Sequence, residues 1–262
     1  IIDNSGEHAK ADSGETQAAS RLQITAGAQN VKRLHMRKLQ HNKTIVVTGP
    51  GMNQVVCGST NFTWRGLYVQ NNNALILQGA SVTAAFLAAF ERYWSLSTKE
   101  FGKTSSAEWI DLGLDGIDAK VTFSPHDASN AMLQSIADDV DGTTSSLFFA
   151  LAFLYQTQGP LRDAIQNVFN KPGTFVYGIS DKKVGGLELL KPSGSIAPVY
   201  PSVLKKNLPP PFSEEPSGGN GIRLHHKFIV IDFDKPTARV YLGSYNFSSA
   251  AHLSTSPFPD VD

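Results

Sequence analysis

Two stretches of this chain are versions of one another, and a repeat constrains a fold more than any single motif does. The first runs His41-Asn42-Lys43, then the apolar Ile45-Val46-Val47, then Gly58-Ser59-Thr60-Asn61-Phe62. The second runs His225-His226-Lys227, then Phe228-Ile229-Val230-Ile231-Asp232, then Gly243-Ser244-Tyr245-Asn246-Phe247. The interval from Lys to Asn differs by a single residue between the two copies. Each copy reads as a pair of buried strands. Residues two apart in a strand share a face, so His225 projects with Lys227, and His226 points away as a packed or surface residue. The following strand ends in Gly-Ser-x-Asn, where Gly243 permits close backbone approach and Ser244 and Asn246 offer hydrogen bonds.

A lysine, an amide and a hydroxyl converging on one point make an anion site. A histidine placed there can attack phosphorus as the neutral ring, or give its proton to a leaving oxygen as the charged one. Two copies bring two His, two Lys and two Asn to one shared phosphate. That is sufficient for a two-step phosphodiester displacement without a metal or other cofactor. One His becomes a phosphohistidine, and the other protonates the leaving alcohol and then activates the acceptor.

Bulk properties narrow the alternatives. With 23 basic and 23 acidic residues the formal net charge is zero, so no global field draws the chain to nucleic acid or anionic lipid. An anionic ligand must be held by local positive charge. The single cysteine, Cys57, excludes an internal disulfide and a Cys-based zinc site, and in Val55-Val56-Cys57-Gly58 it reads as a small buried hydrophobe. No apolar run reaches the roughly 20 residues that span a bilayer. Residues 1–20 are too polar for a secretory signal. A soluble protein is expected, cytoplasmic or peripheral to a membrane.

Along the chain, Leu22–Thr25 reads as a short strand by alternation, 43–48 and 54–57 read as buried strands, and 74–77 as another strand. Ser81–Trp94 is expected to be helical, with Val82, Phe86, Phe90 and Tyr93 as its apolar face. Residues 95–120 read as a linker broken by Trp109-Ile110. Further on, 127–140 and 161–169 read as helices, and 174–179 as a strand. The dense apolar run 147–154 is expected to be a buried strand, because turn residues flank it. Residues 191–221 hold seven prolines and read as a long irregular insertion. Strands alternating with helices predict an α/β fold. The expectation is two similar halves, 1–120 and 121–262, related by pseudo-twofold symmetry, with mixed sheets packed together and helices flanking them. The first half is expected to be incomplete at its start.

The two blocks resemble the HxKxxxxD and GSxxN signature of the phospholipase D superfamily. The second copy carries His225, Lys227, Asp232, Ser244 and Asn246, one residue shorter in its Gly-Ser-x-Asn segment. The first carries His41, Lys43, Ser59 and Asn61, with Thr48 in the place of the Asp. The resemblance implies a metal-independent phosphodiesterase, working as a monomer with both half-sites in one chain, on phospholipid or alternatively on DNA or RNA. It further implies that His41 is the nucleophile and His225 the acid, with Lys43 and Lys227 in the catalytic set. Ser59, Asn61, Ser244 and Asn246 are implied to bind substrate. Acidic residues often orient the histidines in this superfamily, and here Asn72 stands about where a Glu often lies, while Asp232 is the structural acid of the second block. A non-catalytic phosphate-binding module is the reading from a different class.

Other residues have plainer expectations. Phe62, Trp64 and Phe247 read as core or pocket wall. Lys32, Arg33, Arg37 and Lys38 read as a solvated helix face. His8, His35, His126 and His252 have no partner pattern.

Overall fold

A computed structural model of the chain describes residues 1–35, 41–95, 100–101, 109–126, 131–155, 157–182 and 222–247. The fold is mixed α/β. A first, antiparallel sheet joins β3 (Thr44–Gly49), β4 (Met52–Gly58) and β5 (Ala74–Gln78) in sequence order. Its register puts Val46, Val55 and Leu77 on one face. Helix α3 (Ala80–Ser95) covers that face with Val82 and Phe86, which recur at helical spacing. Small two-stranded ribbons, β1 (Ile2–Asp3) with β2 (Arg33–Leu34) and β6 (Ile110–Asp111) with β7 (Lys120–Val121), border it.

The second sheet is larger and mixed. Its order is β11 (Arg239–Leu242), β10 (Lys227–Ile231), β8 (Ser146–Leu151) and β9 (Phe175–Ile179). Strands β8 and β9 are parallel and joined through α5 (Pro160–Asn170), whose first turn is opened by Pro160. Helices α4 (Ala131–Asp141) and α5 lay Ile136, Val140, Ile165 and Val168 on Leu147, Phe149, Ile229 and Ile231. Each such apolar side chain, once buried, contributes roughly 1.5–3 kcal/mol. The apolar run from 147 is therefore a buried strand as far as Leu151, as its flanking turn signals require.

One segment departs from expectation. Leu22–Thr25 is not a strand; it lies in helix α1 (Gly14–Ala26). The helix is fixed by its ends more than by its pattern. The Ser13 hydroxyl accepts from the Thr16 N–H at 3.1 Å, and Gly27 closes the other end. Ala19 is its one buried residue, so apolar periodicity was never needed to hold it. Lys32 and Arg33 are likewise off any helix. Lys32 donates to the Trp94 carbonyl, and Arg33 donates to the carbonyls of Asp3 and His8. Arg37, Lys38, residues 127–130 and the proline-rich stretch 191–221 lie outside the described residues.

Strand β10 ends in the most heavily bonded side chain of the fold. The Asp232 carboxylate, in a left-handed backbone position, accepts from the N–H groups of Thr144, Ser145 and Ser146 and from the hydroxyls of Thr144 and Ser145 at 2.7–3.2 Å. Burial alone would raise its pKa, but these donors hold it well below the ordinary carboxylate value. Asp232→Ala strands buried N–H groups and is expected to lower stability by about 3 kcal/mol, read from the denaturant midpoint at constant slope. Because the folded pKa is depressed, this contribution is present above the ordinary value of 3.8 and is lost as pH falls below it. Thr48, in the corresponding place of the first block, is exposed on β3 and receives no such set of bonds.

Candidate active site

The two blocks meet. His41 and His225 face one another with ring centroids 6.5 Å apart, at 64° to each other. Lys43 and Lys227 stand beside them, both buried, with Lys227 only 1 % exposed. The two lysines are held identically: each Nζ donates to the backbone carbonyl of the His two residues earlier, at 2.8 Å. That bond is a direct product of the His-x-Lys spacing in an extended strand, where the two side chains share a face.

The junction between the blocks is backbone. Asn71 and Leu224 form a parallel bridge, in which the Asn71 N–H donates to the Arg223 carbonyl at 2.7 Å and the His225 N–H to the Asn71 carbonyl at 2.9 Å. Asp181, just past β9, steadies this entry by accepting from the N–H groups of Arg223 and Leu224 at 2.7 and 2.9 Å. Nothing in the sequence around Asp181 marked it for this task.

Asn72 is the orienting residue, and it acts across the junction. Its Oδ1 lies 2.8 Å from Nδ1 of His225, whose same nitrogen is 3.0 Å from the Ser59 carbonyl. Two oxygen acceptors at one nitrogen place the proton on Nδ1 and leave Nε2 with its lone pair toward the centre. The Asn72 amide is itself fixed, donating to the Gly66 carbonyl at 2.9 Å, while its Oδ1 also accepts from the Ser59 hydroxyl at 2.9 Å. Ser59 is thus fully engaged in holding Asn72 and Asn73. His41 is matched in kind by a hydrogen bond with the backbone of Ser244.

Of the other expected residues, Asn61 and Ser244 are half-buried, with Ser244 against His41, and the Asn246 Oδ1 is buried without a hydrogen-bond partner among the described residues. Two glycines let the first block close up. A Cβ on Gly58 would strike the Asn73 carbonyl, and one on Gly66 would strike the carbonyl of Asn61. Gly66 belongs to the short helix α2 (Trp64–Tyr68), capped by the Thr63 hydroxyl.

The charges in this site are under strain. Burial pushes Lys43 down to about 7, with Asp3 opposing, and burial together with the Lys43 charge pushes Lys227 down to about 6. Burial and then the Lys227 and Lys43 charges lower His225 to about 3. The same causes hold His41 well below its ordinary value. Both rings are therefore neutral in the empty site at neutral pH, and an entering anion is what the pocket electrostatically lacks.

A cavity of about 150 Å³ has Lys43 and Ser244 in its wall, with Trp109, Phe123, Tyr241 and Tyr245 around them. The Tyr245 hydroxyl is fully buried and has no hydrogen-bond partner among the described residues. His126, read from the sequence as solvated or structural, is buried and lines the same space. Cys57 also reaches it, with burial raising its thiol to about 11. Phe247 is core as expected, but Phe62 and Trp64 are not wall residues: they are 51 % and 70 % exposed. They follow Asn61 onto α2, which leaves the site on its outer side.

Among the described residues, no group of three or more His, Cys, Asp or Glu could hold a metal ion, and no helix is long and apolar enough to cross a membrane. A comparison with curated proteins gave no match. Residues 1–94, which carry β1 to α3 and with them His41, Lys43 and Asn72, match the family model described as cardiolipin synthase, PLD-like domain, a match that supports the phospholipase D superfamily for this chain.

Proposed function

We propose that the chain is a phosphodiesterase of phospholipase D type, acting on phospholipid through a covalent phosphohistidine at a site to which both halves, 1–120 and 121–262, contribute. The observation that carries the chemistry is the facing pair His41 and His225 with Lys43 and Lys227 beside them. A phosphodiester seated between the rings gives the lysines their missing counter-charge.

The roles follow from the hydrogen bonds. The two acceptors on Nδ1 of His225 support the charged ring once an entering anion offsets the lysine charges and Nε2 takes up a proton, which suits the proton donor. His41, with a single backbone partner, stays neutral and suits attack. In the first step His225 has taken up a proton on Nε2 as the diester anion binds, His41 forms an N–P bond, the P–O bond to the leaving alcohol breaks, and His225 gives that proton to the leaving oxygen. In the second, His225 takes a proton from water, the water oxygen bonds to phosphorus, the N–P bond breaks, and a phosphomonoester leaves. Lys43, Lys227, Asn61 and Asn246 hold the non-bridging oxygens through both steps.

The cavity favours a lipid. Its walls beside Lys43 and Ser244 are mainly apolar and aromatic, which suits the glycerol or acyl portion of a lipid better than a charged polymer. Turnover of phosphatidylcholine and phosphatidylglycerol vesicles, with release of the free alcohol in EDTA, is the expected result. Cleavage of single-stranded DNA with no lipid turnover would replace the lipid reading by the nuclease one. Phosphate binding with no turnover of any diester would leave only a binding module.

A further inference from the structure

The ladder between β10 and β8 starts at Lys227, opposite Leu151. Residues 222–225, just ahead of it, lie outside that ladder, so their backbone groups must find partners elsewhere. The first half supplies some of them. The Asn71 N–H donates to the Arg223 carbonyl, and the Asn71 carbonyl accepts from the His225 N–H. Gln70 Nε2 and Arg65 Nη2 reach the Ile222 carbonyl at 3.3 and 3.4 Å. From the second half, one carboxylate oxygen, Oδ1 of Asp181, accepts from two successive N–H groups, those of Arg223 and Leu224. That oxygen stands on a fixed base. The Asp181 N–H donates to the Ala152 carbonyl at 3.3 Å, and the Ala152 N–H donates to the His226 carbonyl at 3.0 Å. Ala152 and Ser180 are both fully buried.

We propose that Asp181 is a positioning residue for His225: its carboxylate sets the path of residues 222–225 so that the imidazole reaches Asn72 and Ser59 across the junction. This rests on the phosphodiesterase reading above, in which His225 is first the acid and then the base. Asp181 acts through the backbone. The ring it serves depends on two contacts of Nδ1, at 2.8 and 3.0 Å, which a small drift of the segment would break. Misplacement of a reacting group by about 1 Å costs about 10²-fold in rate. The rest of the site has separate supports. Lys227 is held in the ladder with β8, and His41 is hydrogen-bonded to the Ser244 backbone. What the two N–H groups need is an oxygen acceptor. Asparagine offers one at the same place, and alanine offers none.

The test compares Asp181→Ala and Asp181→Asn in the full chain with bis(p-nitrophenyl) phosphate. Nitrophenolate leaves without a proton, so the first step tolerates a misplaced His225 and the second does not. In Asp181→Ala the nitrophenyl-phosphoryl group is expected to accumulate on the protein, read by intact mass, while steady turnover falls about 10²-fold. Asp181→Asn is expected to stay within about fivefold of the parent, as rescue by a retained acceptor. A second readout needs no activity. The His225 Nδ1–H, assigned by its absence in His225→Ala, is expected as a slowly exchanging NMR signal in the parent and in Asp181→Asn, and is expected to be lost in Asp181→Ala. Parent-like turnover by Asp181→Ala overturns the proposal. So does a fall of labelling and turnover in the same proportion, which marks a residue that only supports the fold. An asparagine variant as slow as the alanine one overturns it, as does a parent without the signal or an alanine variant that keeps it. In a protein that turns over no diester, a signal lost in Asp181→Ala and kept in Asp181→Asn would sustain the positioning role and reject the catalytic reading.

Discussion

Replacing His41 by alanine is expected to lower kcat on bis(p-nitrophenyl) phosphate by at least about 10⁴-fold and to leave the protein unlabelled by phosphorus. His225→Ala is expected to behave differently on this substrate. Nitrophenolate leaves without protonation, so His41 still attacks and the N–P bond still forms. The second step then lacks its base, which contributes about 10²–10⁴-fold. The variant should release about one equivalent of nitrophenolate in a burst and stop, holding a nitrophenyl-phosphoryl group visible in its intact mass. The difference arises from the hydrogen bonds: Nδ1 of His225 has two oxygen acceptors, whereas His41 relies on the Ser244 backbone. Label retained in His41→Ala and lost in His225→Ala would exchange the roles. Label in neither, with turnover intact in both, would remove the histidines from the mechanism.

Lys227→Met should move activity and stability in opposite directions. Lys227 is buried beneath the Phe153 ring, with its Nζ on the His225 carbonyl and, among the described residues, no carboxylate bonded to it. Methionine nearly fills its volume without the cost of desolvating a cation, so the phosphate-free protein should gain about 2 kcal/mol. The pH dependence should change too. Because the folded pKa is about 6 against an ordinary 10.5, the unfolded chain binds the additional proton between those values, and stability rises with pH across that window. The variant should lose about 1.4 kcal/mol per pH unit of that slope, leaving the part due to Lys43. Activity should fall by about 10³-fold, since the cation that faces the non-bridging oxygens is gone. A variant that is both less stable and active would show that Lys227 is a structural residue.

The parts of the site that could be read in the sequence are those in which spacing decides geometry. His225 and Lys227 two apart in an apolar strand share a face in any sheet, and both copies of that spacing produce the same lysine-to-carbonyl bond. Strands β8, β9 and β10 and the helices α3, α4 and α5 were equally legible, because each buries an apolar face, whereas β3, expected to be buried, leaves Ile45 and Val47 exposed. Helix α1 was not, since it buries Ala19 alone and is defined by its caps. Asn72 could be located in the chain, but its partner could not: it orients a ring 153 residues away, a fact of packing that local pattern does not contain. Phe62 and Trp64 were misread for a related reason. Adjacency to a motif argued for pocket walls, but Gly66 folds the chain back on Asn61 and turns both rings outward.

That long reach from Asn72 to His225 also sets when the protein can work. Contacts between residues close in sequence form early, whereas one that closes so large a loop must wait for the segments on either side to settle. A nascent chain can complete the first sheet, and even carry its motif residues in place, long before Leu224 and His225, just ahead of β10, arrive beside Asn71. Until then no imidazole pair exists and no phosphodiester is at risk. Competence for chemistry is therefore conferred in one late event, the docking of a single strand, and a chain that stops short of it remains inert.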